Sequence, residues 1–156
     1  MKKIDLGQMI TILANIGVIA GIVFLGFELR QNQLVGRAQT QTAIADARRE
    51  LTQSDISGPI VDILVSLQRE EPLSEGDEIR MAMWTDSWLR HYANVYYQNL
   101  QGLYDDDGFE ANMQEIEAWL QGGGGERVRN HICQNRDMYS TEFTAVIESM
   151  FANPCG

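Results

Sequence analysis

"LGQMITILANIGVIAGIVFLGF", residues 6–27, holds no charged side chain across 22 residues, yet it includes Gln8, Thr11, Asn15 and four glycines. As a helix it would be about 33 Å long, close to the roughly 30 Å of a bilayer's hydrocarbon core. A secretory signal would have a shorter apolar stretch and a small-x-small cleavage site. Here the run ends instead in "FLGFELRQ". A buried helix of a soluble core seldom runs 18 or more residues without a charge. The reading is therefore a retained transmembrane helix, with residues 1–30 as anchor and residues 31–156 as a separate domain.

Stepping about 100° per residue around that helix separates two halves. Leu6, Met9, Ile12, Leu13, Ile16, Ile19, Ala20, Val23, Phe24 and Phe27 form one apolar half, without glycine, that suits lipid. Gln8, Thr11 and Asn15 make a polar stripe on the other half, beside small residues at Ala14, Gly17 and Gly21. Helices gain no hydrophobic energy by meeting in lipid, so association rests on close packing at small residues and on interhelical hydrogen bonds. An amide such as Asn15 costs free energy in hydrocarbon unless it is paired. The expected membrane-helix interface is Thr11, Ala14, Asn15, Gly17 and Gly21, with lipid on the opposite half and protein on this one.

The flanking charges leave sidedness nearly tied. Lys2 and Lys3 precede the helix and Arg30 and Arg37 follow it. The short lysine-bearing end is the easier one to retain, which places the N-terminus in the cytoplasm and the domain outside a bacterial inner membrane. That domain is acidic, with nine arginines against twenty acids in residues 31–156. Phosphate recognition needs a basic stripe, and none is visible, so nucleic acid is not an expected partner.

Beyond the membrane, helix formers continue to about residue 53, with a thin apolar stripe that includes Leu34, Val35, Ile44, Ala47 and Leu51. "SGPIVDILVSLQRE" reads as a short helix with Ser57 as a candidate cap, stopped by Glu71 and Pro72. "SEGD" at Ser74–Asp77 has capping-box form and opens a helix to about Gln101. On that helix Met81, Trp84, Trp88, His91, Tyr92, Val95 and Tyr96 recur at spacings of 3 and 4, as a core-facing stripe does. "YDDDG" reads as a loop and "FEANMQEIEAWLQ" as a helix with Phe109, Met113, Ile116, Trp119 and Leu120 inward. Gly122–Gly125 reads as a flexible joint. Helices over 126–135 and from Thr141, capped by Ser140, complete an all-α chain in which no segment alternates with period 2.

The stretch "ILANIGVIAGIVFLGFELRQN", residues 12–32, resembles the N-terminal signature of an uncharacterised bacterial family in which one membrane helix precedes a small helical domain. "WLRHYANVYYQNLQGLYDDDGF" and "STEFTAVIESM" extend the likeness more loosely. The resemblance implies this architecture and carries over no catalytic or binding residue.

No catalytic, cofactor or metal site is expected. His91 and His131 belong to no HExxH pattern, and His131 and Cys133, two apart, diverge on a helix. His91 on an aromatic stripe reads as a hydrogen-bonded core residue. Asp105, Asp106 and Asp107 lack calcium-loop spacing. The Trp84, Trp88, Tyr92 and Tyr96 ladder reads as bundle core, with a ligand pocket as the alternative. Cys133 and Cys155 are a candidate disulfide if the domain faces an oxidising compartment. The expected role is a membrane-anchored assembly protein, self-associating or an accessory subunit that contacts lipid and other membrane-protein subunits. The alternative is a tethered ligand-sensing or catalytic domain.

Overall fold

The computed structural model describes residues 6–122, 125–151 and 155. All of its regular elements among these residues are helical. The first, α1, runs Leu6–Ser57 without a break, so the helix passes the expected end near residue 53 by about a turn. Internal contacts divide the chain into two compact units, one up to Ala38 and one from Gln39 on.

The first unit is the apolar part of α1. It is the one described helix long and apolar enough to cross a membrane, by length and composition. Its large apolar side chains from Leu6 to Leu29 stand between 48 % and 71 % exposed. Lys2 and Lys3 lie outside the described residues.

The second unit is a bundle built around α3. It comprises the end of α1, α2 (Ile60–Gln68), α3 (Glu75–Leu100), α4 (Asp106–Gln121), α5 (Gly125–Gln134), a 3-10 turn at Arg136–Met138 and α6 (Thr141–Ser149). The period-3/4 stripe of α3 places Met81 against Ile60 and Ile63 of α2 in a small cluster. Farther along, Leu89 and Tyr92 join Ile116 and Leu120 of α4, Val128 and Ile132 of α5, and Phe143 and Ile147 of α6 in the main core. Each such side chain contributes about 1.5–3 kcal/mol on full burial, which is what holds short helices such as α2 and α6 in place. The thin stripe on α1 is used in part: Ile44 is buried and Ala47 and Leu51 are half-buried, whereas Leu34 and Val35 are exposed.

Caps set most of the boundaries. Asp77 N–H donates to Ser74 Oγ at 3.2 Å, and Phe143 N–H donates to Ser140 Oγ at 3.2 Å. Ser57 does not cap α2. It ends α1, its hydroxyl donating to the Gln53 carbonyl at 2.6 Å, and Pro59 occupies the cap position of α2. The acidic triplet is also more ordered than a loop. Asp105 caps α4 by accepting from Gly108 N–H at 2.8 Å, and Asp106 and Asp107 lie in the first turn, where negative charge complements the helix dipole. Of the glycine run, Gly123 and Gly124 lie outside the described residues. Gly125 N–H bonds Gly122 O at 3.0 Å, and a Cβ on Gly125 would overlap the Leu120 carbonyl, so close approach demands glycine there.

Candidate functional site: the helix face in the first unit and the polar framework of the second

In the first unit the continuous helix keeps Thr11, Ala14, Asn15, Gly17 and Gly21 at the register the periodicity assigns. All five are exposed. Thr11 satisfies its hydroxyl within the helix by donating to Gly7 O at 3.0 Å. Asn15, whose side chain cannot be satisfied so simply, makes no hydrogen bond to any described residue. A Cβ added at Gly17 or Gly21 would meet nothing within 4 Å, and the same is true of Gly26, which lies beside Gln8 and Asn15 at the other edge of the same half. Nothing among the described residues therefore requires small residues at 17 and 21.

In the second unit the aromatic ladder is packed. Tyr92 is buried, and Trp84, Trp88 and Tyr96 are half-buried. Trp84 meets Trp119 edge-on at 5.4 Å, Trp88 lies 6.1 Å from Tyr92, and Tyr96 stands 5.9 Å from Phe143. The two indole N–H groups converge on Asp55 of α1, Trp84 at 2.7 Å and Trp88 at 3.0 Å. Sequence reasoning missed Asp55. Its one signal was indirect: two tryptophans at i, i+4 put two indole donors on one face, and half-buried donors need an acceptor.

A second framework joins α3 to the C-terminal elements. Tyr139 O–H donates to Asp86 at 2.7 Å, Arg90 Nε donates to the other Asp86 oxygen at 2.7 Å, and His131 Nε2 stands 3.4 Å from the Tyr139 oxygen. Burial pushes the Asp86 pKa up, but the hydrogen bonds from Arg90 and Tyr139, aided by the charges of Arg90 and His131, outweigh it and hold the carboxyl below its ordinary value. Burial and the bond to Asp86 push the Tyr139 phenol up, so it stays a neutral donor. The arrangement locks elements together and presents no activated nucleophile.

His91 is buried at 6 % exposure, as a core residue should be. Its Nε2, however, finds no hydrogen-bond partner among the described residues, against the expectation of a hydrogen-bonded histidine. Burial lowers its pKa, the nearby Arg48 charge lowers it further, and Glu115 partly opposes both. Arg48 and Glu115 pair with each other at 2.6 Å, tying α1 to α4. His131 and Cys133 enter different surroundings: His131 faces Asp86 and Tyr139, while Cys133 lies with Cys155, the two Cα atoms 5.5 Å apart and the sulfurs placed for a bridge. Among the described residues no three His, Cys, Asp or Glu side chains gather as a metal-holding group.

Compared with models of protein families, with curated proteins and with solved structures, the chain matches none.

Proposed function

We propose that this chain is a membrane-anchored assembly protein of a bacterial inner membrane, self-associating or an accessory subunit of a larger membrane complex, with a non-catalytic helical domain on the periplasmic side. The observation that carries the reading is the half of the helix that holds Asn15, Gly17 and Gly21, where among the described residues the amide has no hydrogen-bond partner and a Cβ at either glycine would meet nothing within 4 Å. A partner helix uses both, since glycine admits close backbone approach and the amide can bond across the contact. The part of the ladder from Trp88 to Tyr96 supports the same reading over a ligand-sensing one, because Tyr92 is buried in the main core with Trp88 and Tyr96 packed against it.

The test is a membrane association assay on the full chain. Gly17→Leu or Gly21→Leu should reduce association strongly by blocking close approach. Ile16→Leu, on the lipid half, should leave it unchanged. Equal effects from the two sets would refute the interface. Sidedness is tested separately by protease treatment of spheroplasts, where the periplasmic assignment requires that the domain be digested.

A further inference from the structure

The end of α1 within the second unit, residues 39–57, joins the bundle differently from the helices that follow it. Ile44 is its one buried side chain among the described residues, and it lies in neither core cluster. Polar contacts tie the segment down. Gln41 donates to Asp105 at the start of α4, Arg48 pairs with Glu115 of α4 at 2.6 Å, and Asp55 accepts the indole bonds of Trp84 and Trp88 on α3. Gln41, Arg48 and Asp55 recur every seven residues, so they line one face of the helix. The Arg48 and Glu115 side chains are 42 % and 40 % exposed, and an ion pair so open to water holds weakly. A segment with little buried apolar surface opens before the body it rests on.

His91 lies near the middle of that row. Its ring is buried and meets Trp88 edge-on at 5.8 Å, and its Nε2 has no hydrogen-bond partner among the described residues. The charged groups that act on it come from the two elements on either side, Arg48 from α1 and Glu115 from α4. Tyr92, beside it on α3, stays a neutral phenol, its pKa pushed up to about 12 by burial. We propose that residues 39–57 form a strap that acid opens, with His91 as the group whose protonation lifts α1 away while α3 to α6 stay folded.

A neutral imidazole sits against the Arg48 guanidinium at no electrostatic cost. An imidazolium there meets a like charge, and it turns Nε2 into a buried donor without an acceptor. Glu115 is the anion that acts on both cations, and Arg48 already engages it. Lifting the strap removes Arg48 from the site, admits water to His91 and leaves Glu115 of α4 beside the imidazolium. Burial first and Arg48 second hold the histidine pKa down in the closed form, so the open form takes up the proton more readily and acid favours opening below about pH 6.5. Release also frees both indole N–H groups of the Trp84 and Trp88 face of α3. The inference concerns the second unit alone and does not depend on association through the membrane helix.

The experiment is hydrogen–deuterium exchange of the full chain in phosphatidylcholine nanodiscs at pH 7.5 and 5.0, with rates corrected for the intrinsic effect of pH and read segment by segment. Protection of residues 39–57 should fall about tenfold at the lower pH, within the roughly thirtyfold limit for one group of ordinary pKa 6.5, while α4 to α6 change less than about twofold. His91→Leu, with unchanged far-UV circular dichroism, should reduce the fall in the strap to below about threefold. His91→Gln, polar but unable to titrate in this range, should behave in the same way and keeps the test open if leucine disturbs the core. An equal loss of protection in the strap and in α4 to α6 of the native chain would overturn the proposal by showing whole-domain unfolding. Unchanged strap protection at pH 5.0, or the native fall retained in the His91 variants, would overturn it as well.

Discussion

The indole N–H of Trp84 reaches the Asp55 carboxylate at 2.7 Å across 29 residues of chain. Trp88, one turn farther along α3, takes the second carboxylate oxygen at 3.0 Å. One short side chain thus fastens the end of α1 to the helix at the centre of the bundle. Hydrogen bonds to a charged group contribute about 1.5–3 kcal/mol each, and half-buried donors that water partly reaches fall at the low end. Asp55→Ala should therefore destabilise the domain by about 2–4 kcal/mol. Asp55→Asn, which keeps one acceptor oxygen, should lose about half of that. Denaturant unfolding followed by tryptophan emission measures both, and a loss below about 0.5 kcal/mol for Asp55→Ala would show that the two bonds do not hold the elements together.

α2 and α3, the helices that lead into the α2–α3 and α3–α4 connections, end in the same way but with different residues. After α3, Gly102 takes φ +66°, with Gly102 N–H bonding Asn99 O at 2.8 Å and Leu103 N–H bonding Gln98 O at 2.9 Å. After α2, Glu70 takes φ +58°, with Glu70 N–H bonding Leu67 O at 3.1 Å and Glu71 N–H bonding Ser66 O at 3.0 Å. Both are Schellman closures, and the left-handed residue in each is glycine by preference because a Cβ there costs about 1–2 kcal/mol. Glu70→Gly should stabilise the domain by about 0.5–1 kcal/mol, the relief being partly offset by the greater freedom of glycine in the unfolded chain. Gly102→Ala should destabilise by about 1 kcal/mol, since a Cβ there meets no neighbour and only the backbone strain acts. A destabilising Glu70→Gly would mean that the exposed carboxylate makes a contribution its surroundings do not reveal.

How much of this was legible in the sequence follows from how local each determinant is. The helices were readable because period and caps are local signals: Ser74 and Ser140 stand beside the turns they close, and the stripe from Met81 to Tyr96 is a property of one segment. Ser57 was misread because a serine before Gly-Pro has capping form, while the choice between ending one helix and starting the next depends on the bundle around Ile60. Asp105 was hidden among three like acids. Asp55, Asp86 and Tyr139 were invisible as a group because their partners lie 29 to 53 residues away, a distance no periodicity spans. On the apolar part of α1 the continuous helix keeps the register that periodicity assigns to Thr11, Ala14, Asn15, Gly17 and Gly21, because helical geometry alone sets it.

The buried His91 gives the domain a dependence on pH with a definite sign. Its pKa is lowered in the folded state, by burial first and by the Arg48 charge second. As pH falls through the ordinary histidine value of about 6.5, the unfolded chain takes up a proton at this site that the folded chain resists, so the unfolded state binds more protons and stability falls. Asp77, Asp86 and Asp105, all held below the ordinary carboxylate value, add their losses only at lower pH, as it falls below about 4. The unfolding midpoint of the native chain should therefore decline between pH 7 and 5.5, and His91→Leu should flatten that decline. A variant with the same slope as the native chain would place the dependence elsewhere.

The C-terminal prediction joins geometry to compartment. Cys133, on α5, and Cys155, in the tail, have Cα atoms 5.5 Å apart, inside the range a disulfide spans without backbone movement. Pro154, which the sequence suggests as the turn bringing the tail back, lies outside the described residues. Whether the sulfurs are joined depends on where the domain resides, because glutathione and thioredoxin keep cytoplasmic thiols reduced while a periplasm oxidises them. With the domain outside, the bridge should form and close a loop of 22 residues, which stabilises by about 3 kcal/mol through restriction of the unfolded chain. Cys133→Ser and Cys155→Ser should then lower stability equally, and the double substitution should cost no more than either alone, since each removes the same bond. Mass spectrometry of protein alkylated at lysis, without reduction, decides directly. Two unmodified cysteines lighter by two hydrogens report the bridge, whereas two alkylated thiols would refute it and weaken the periplasmic assignment with it.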